Sequence, residues 1–170
     1  MGGFCVSTYN YVFRWLIRGD TLFEVIIPED SKFYKTVSDN DVCVCEKMIL
    51  TNPKKIDDNF AMELYKVSTL NDISYFRAMT ACAICGYINT ALEVFKDRVN
   101  TQNISVAVSE FEAFCKRREK EHYGKNILEI ESVKIIYDKL KEIQNNKNNW
   151  AINYNIYQTN FNVTSKTINN

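Results

Sequence analysis

Two cysteine pairs are spaced so that they could do chemistry: Cys43-x-Cys45 in a β-like run and Cys82-x-x-Cys85 in a helical one. Residues two apart share a face of a strand and residues three apart share a face of a helix, so each pair could chelate. Together the four could form a zinc site. Their surroundings argue against it. The pairs lack the glycines and polar loops of a zinc ribbon, and Cys82 and Cys85 lie in an apolar stretch where small buried thiols are common. The expectation is core cysteines and no cofactor, with a zinc protein built on Cys43, Cys45, Cys82 and Cys85 as the alternative. A redox role fits less well, because Cys82-Ala83-Ile84-Cys85 sits inside a helix rather than at its N-terminus, where a thiolate is stabilised.

Other catalytic sets are also missing their parts. Nucleophilic catalysis by a Ser-His or Cys-His couple needs an imidazole, and His122 is the sole histidine. It follows Lys116-Arg117-Arg118-Glu119-Lys120-Glu121, a charged helix end in which a histidine complements the helix dipole. Arg117 and Arg118 could touch phosphate or an acidic partner, although Glu119 and Glu121 cut their field. With five glycines, at positions 2, 3, 19, 86 and 124, neither dinucleotide-binding nor phosphate-loop patterns can be written. Glu29-Asp30 and Asp57-Asp58 pair acids, but turn formation and helix capping account for both. Arg18-Gly19-Asp20 reads as a turn. No enzymatic constellation emerges.

The elements that would position a site change character at Asn52-Pro53-Lys54-Lys55. Before this junction, apolar residues alternate with polar ones in short β-branched and aromatic runs. Tyr11, Phe13, Trp15 and Ile17 stand two apart, and with Thr21 to Ile27 they imply a hairpin turning at Arg18-Gly19-Asp20. Lys32 to Val37 and Val42 to Leu50 read as further strands. After the junction, apolar residues recur at helical spacing: a helix capped by Asp57 or Asp58, another beginning at Asn71 or Asp72, and an almost wholly apolar stretch around Met79 to Cys85. Gly86 either ends that helix or bends it. Asn89-Thr90 could cap the next, Asn103 another, and Ile127, Ile130, Val133, Tyr137, Leu140 and Ile143 form a final stripe. The implied architecture is α+β, a small N-terminal antiparallel β unit over residues 1–56 packed on a bundle of four to five helices over 57–144. Residues 145–170 form an Asn- and aromatic-rich tail, either disordered or docked as a strand through Trp150, Ile152, Tyr154 and Ile156.

Composition and charge narrow the class. At 170 residues, 46% apolar and 25% charged, the chain can build its own core. Basic and acidic residues number seven and seven in 1–56, twelve and fourteen in 57–144, and two and none in 145–170. No segment has the positive excess that nucleic-acid binding exploits, so that role is disfavoured. The longest apolar run, Ala78 to Ile88, is too short to span a membrane. Six cysteines without a basic-then-apolar leader point to reduced thiols inside a cell. The N-terminal Met-Gly-Gly-Phe-Cys-Val misses the acylation pattern, which wants Ser or Thr where Val6 stands.

Trp15 to Pro28, Lys47 to Lys55, Tyr75 to Thr90 and Phe95 to Asn100 together resemble uncharacterised proteins encoded by mimivirus-like giant DNA viruses. The resemblance runs from about Val12 to Leu140, and the Asn-, Ile-, Lys- and Tyr-heavy composition suits an AT-rich genome. It brings no activity and no functional residues, and it implies an infected host cell or a virion as the setting. The resulting expectation is a non-enzymatic protein–protein interaction module, a viral accessory protein. Its binding residues would be the tail aromatics Trp150, Tyr154, Tyr157 and Phe161, together with Arg117 and Arg118. A virion structural component is the other alternative to zinc binding.

Overall fold

Residues 58–147 carry the helical pattern, and their helices start and stop where local chemistry dictates. In the computed structural model, which describes residues 3–36, 39–121 and 126–147, α1 (Asp58–Val67) is capped by Asp57, whose carboxylate accepts from the Phe60 amide at 2.8 Å. Asn71 caps α2 (Asp72–Cys85) through the Ser74 amide, also at 2.8 Å. Gly86 resolves the question of bend or stop. It adopts φ 83°, the left-handed geometry that ends a helix, and α3 (Ile88–Arg98) begins two residues later. Asn103 precedes α4 (Ile104–Glu121), but its side-chain oxygen accepts from the Asn100 amide and its amide donates to Arg98 O, tying down the α3–α4 turn. Ile127, expected in the last helix, instead belongs to a 3-10 turn (Ile127–Glu129) capped by Asn126, and α5 spans 131–147. That helix continues past Asn145, where the composition shifts.

The core lies among these helices. Phe76, Met79, Cys82 and Ala83 of α2 are buried against Ala91 and Val94 of α3, Ala107 and Phe111 of α4, and Val133, Ile136 and Leu140 of α5. α2 is apolar nearly all round because α3, α4 and the N-terminal segment all pack on it.

The N-terminal third departs from the hairpin expectation. Tyr9–Arg18 is a 3-10 helix, not a strand. Its apolar residues fit either an alternating or a three-residue repeat, and tertiary packing selects the latter: Phe13 and Leu16 are the buried pair. Phe13 meets the Tyr65 ring at 5.4 Å, and Asn10 O accepts from the Thr69 amide at 3.1 Å. This helix, rather than either sheet, makes the main contact with α1 and α2.

The described residues also form five strands in two antiparallel sheets. β1 (Phe4–Ser7), β4 (Asp39–Cys45) and β3 (Phe33–Thr36) form one in the order β1-β4-β3, and β2 (Thr21–Ile26) pairs with β5 (Ile49–Lys55) in the other. The expected strand from Val42 to Leu50 is broken at Glu46-Lys47-Met48, so its halves enter different sheets. The Asn52-Pro53 junction, which reads as the end of the β unit, lies inside β5. Leu22 pairs with Lys54 and Glu24 with Thr51, so Asn52 and Pro53 together oppose Phe23 in a bulge. Asn52 takes φ 49°, tolerable for asparagine, and Pro53 sits where a missing N–H costs no ladder bond. The fold is α+β, with small N-terminal antiparallel sheets against a helical body.

Candidate functional site

The two sheets do not close on one another, and the space left between them is a concavity lined by strands of both. β2 explains why. Leu22 points to the helical core, whereas Phe23, Val25 and Ile26 remain exposed at 39%, 37% and 54%. In a sandwich, such side chains would interdigitate with those of the opposite sheet. Here Phe23 and Val25 line two adjoining open clefts of about 710 Å³ and 670 Å³, both also bounded by Val6, Val12 and Leu22. These are ligand-sized volumes.

The first cleft also takes in Tyr9, Glu24, Phe33, Asn52, Lys54 and Phe60. Its charges are already committed. Glu24 accepts from the Asn52 amide at 2.7 Å, while Lys54 lies 3.4 Å above the Phe60 ring and 3.6 Å from Glu63. The second cleft reaches Cys5, Trp15, Arg18, Val42, Met48 and Leu50, and apart from Arg18 its lining carries no charge. Acid–base or nucleophilic chemistry needs poised titratable groups, and neither lining offers a set of them.

The cysteine pairs do not converge. Cys43 lines the first cleft, while Cys45 is buried in the same strand with its thiol 3.7 Å from Phe4 O. Cys82 is fully buried in α2, which holds its thiol well above the ordinary value, and Cys85 directs its sulfur to Leu16 O at 3.9 Å. Among the described residues no three Cys, His, Asp or Glu side chains group as a metal would require, and Cys43 and Cys45 lie on β4 while Cys82 and Cys85 lie on α2. Burial also pushes the Cys115 thiol up to about 12, leaving it inert as a nucleophile.

At the end of α4, Arg117 is exposed, with its guanidinium 5.4 Å from the Phe114 ring, and Arg118 pairs with Glu121 on the same helix. His122, Trp150, Tyr154, Tyr157 and Phe161 lie outside the described residues.

Two polar clusters in the helical body are structural. Asp58 reaches across from the first turn of α1 to the start of α3, where its carboxylate accepts from the Asn89 and Thr90 amides, each at 2.9 Å, and lies 2.7 Å from the Thr90 hydroxyl. Asp58 thereby caps a helix that has no side-chain cap of its own. Burial pushes its carboxyl up, but the Thr90 and Asn89 hydrogen bonds outweigh it and hold the group below its usual range. Around α1 and α2, Tyr75 donates to Ser68 O at 2.8 Å, its ring meets Tyr65 edge-on at 5.8 Å, and the Arg98 guanidinium stacks 4.1 Å from it. Tyr65 in turn donates to Asp97 at 3.0 Å.

No family model, curated protein sequence or solved structure matches this chain. The clefts therefore stand on their geometry alone. Sequence reading missed them, although a signal was present: Leu22, Phe23, Val25 and Ile26 make β2 apolar on both faces. That pattern marks a strand covered on two sides, and only one cover is present.

Proposed function

We propose that the chain is a non-enzymatic protein–protein interaction module that docks its partner on the β unit. The observation that carries this reading is where exposed apolar surface lies. Nine of the twelve exposed large apolar residues among those described precede residue 56, among them Phe4, Phe23, Ile26, Phe33, Ile49 and Leu50. Exposed apolar surface concentrated in one region in this way marks interaction sites.

The partner that fits is an extended apolar peptide added to the free edge of β2. Among the described residues β2 pairs only with β5, and its sequence Thr-Leu-Phe-Glu-Val-Ile has one charge and no proline. β5 instead carries Pro53, Lys54 and Lys55, residues that blunt an edge. Strand addition supplies main-chain hydrogen bonds for affinity and places alternate side chains against Phe23 and Val25 for specificity. The resemblance to giant-virus proteins supports a viral accessory role in an infected host cell.

Photo-crosslinkable residues at Phe23 and Ile26 test the reading in infected cells, with the same probe at Val106 as control. A discrete partner crosslinked from β2, whose captured segment binds the purified protein as a synthetic peptide, supports it. Loss of that peptide's binding on Phe23→Lys is the second requirement. The reading fails if crosslinks from Phe23 and Ile26 match those from Val106, or if removing residues 148–170 or charge reversal at Arg117 abolishes partner binding while Phe23→Lys leaves it intact.

A further inference from the structure

Arg18 gives the second cleft a chemical polarity that an apolar lining alone would lack. Of the described residues around that 670 Å³ space, including Val12, Val25, Val42, Met48 and Leu50, Arg18 alone is charged. It ends the 3-10 helix, with its guanidinium 5.8 Å from the Trp15 ring. The nearest acid in sequence, Asp20, is occupied: Lys55 approaches its carboxylate at 3.1 Å and the Thr21 hydroxyl donates to it at 3.0 Å. Among the described residues, further ion pairs in this region join Lys32 to Glu46, Lys47 to Asp30 and Lys54 to Glu63, and none of these involves Arg18.

We propose that this cleft binds a single-chain anionic amphiphile, a long-chain fatty carboxylate taken up as a monomer. The acyl chain lies along Val12, Val25, Val42 and Leu50, and the carboxylate meets the guanidinium of Arg18. A planar guanidinium matches a carboxylate through two parallel hydrogen bonds, whereas a neutral or cationic head leaves the Arg18 charge unanswered. Filling the cleft removes from water the apolar side chains that the open sheets leave exposed. The ligand occupies the trough between the sheets and the peptide the backbone edge of β2; the two share Phe23 and Val25 but only the ligand engages Arg18, so the Arg18 readout separates this site from the docking edge.

Calorimetric titration of the full chain with laurate, dodecyltrimethylammonium and dodecanol, each below its aggregation concentration, separates head from tail. The expected result is saturable one-to-one laurate binding, about tenfold tighter than the cationic analogue, because Arg18 is exposed and its charge-assisted bonds are partly screened. Arg18→Gln should shrink that preference to within about threefold, the loss of a solvent-screened charge pair, while dodecanol binding is unchanged. Val25→Trp should fill the trough and remove binding of all three. If that variant shifts the thermal midpoint, Leu50→Glu, at an exposed position of β5, serves in its place. Equal affinity for laurate and its cationic analogue, a preference that survives Arg18→Gln, or laurate binding retained by a folded cleft-blocked variant would each overturn the proposal. So would the absence of saturable laurate binding.

Discussion

Phe76 and Phe23 are the same side chain in two opposite situations. Phe76 sits in α2 at 1% exposure, enclosed by the other helices, while Phe23 sits in β2 at 39%, facing an open cleft. The helical body has closed its apolar surface into one core, and the β unit holds apolar strands apart from one another. Burial of apolar area stabilises a fold regardless of which residues supply it, so surface left open in a chain able to close it is surface available to something else.

The largest expected contrast comes from cutting both phenylalanines to alanine. Phe76→Ala should cost about 3–5 kcal/mol in urea unfolding, the usual result of leaving a large cavity in a packed core. Phe23→Ala removes a ring that is already partly in water, and should cost less than about 1 kcal/mol. Comparable losses at the two positions would mean that the clefts are closed in solution, which would remove the distinction between the regions.

A second test probes what holds the helical body together apart from the core. Asp58→Ala strips the start of α3 of its acceptor for two amides, and should cost about 1–2 kcal/mol. The wild-type protein adds a pH signature. Because the folded carboxyl titrates below its ordinary value, its contribution is complete above the unfolded pKa of about 4 and is lost as pH falls through the lower folded value. Asp58→Asn should therefore flatten the acid limb of stability below about pH 4 relative to wild type, with little change in shape above it.

How far each region could be read from sequence follows from the same contrast. The helical body was legible because its features allowed few physical solutions, with only the end or bend at Gly86 and the exact capping residues left open. Asp57 and Asn71 had helix starts to cap, Gly86 had a left-handed stop to supply, and Met79 to Ala83 formed an all-round apolar stretch that only a central helix can satisfy. The β unit was less legible because its features fitted two different structures. Tyr11, Phe13, Trp15 and Ile17 fit a strand, while Phe13 and Leu16 fit a 3-10 helix, and the choice was made by Tyr65 and Thr69, more than fifty residues away. Asn52-Pro53 fits a chain break as readily as a bulge, until β2 is known to lie opposite. The clefts had only a partial signal, since a doubly apolar strand says that it wants cover on both sides and not that one side stays open.

Asn52 makes the bulge testable. Its φ of 49° lies in the left-handed region, where glycine is at ease, asparagine is tolerated and a β-branched residue is strained. Asn52→Gly should change stability by less than about 0.5 kcal/mol, since relief of the backbone is offset by the lost bond to Glu24 and a freer unfolded chain. Asn52→Val should cost about 1–2 kcal/mol and increase hydrogen exchange in β2. Equal effects of the two would mean that β5 runs through this point without a bulge.

The smallest expected effect is the most direct measure of what the open sheet is for. Val25→Thr keeps the β-branched shape at a 37%-exposed position and exchanges a methyl for a hydroxyl that water can reach, so the folded protein should shift by less than about 0.5 kcal/mol. If Val25 belonged to the core, the same change would bury a hydroxyl in an apolar environment and cost about 1–3 kcal/mol. Partner binding responds differently, because a docked apolar strand would bury that hydroxyl and lose affinity by several-fold. A variant as stable as wild type that binds the crosslinked peptide less tightly would place Val25 in the binding energetics without placing it in the fold. Equal loss in both measurements would return β2 to the core and leave the β unit with no surface of its own to offer.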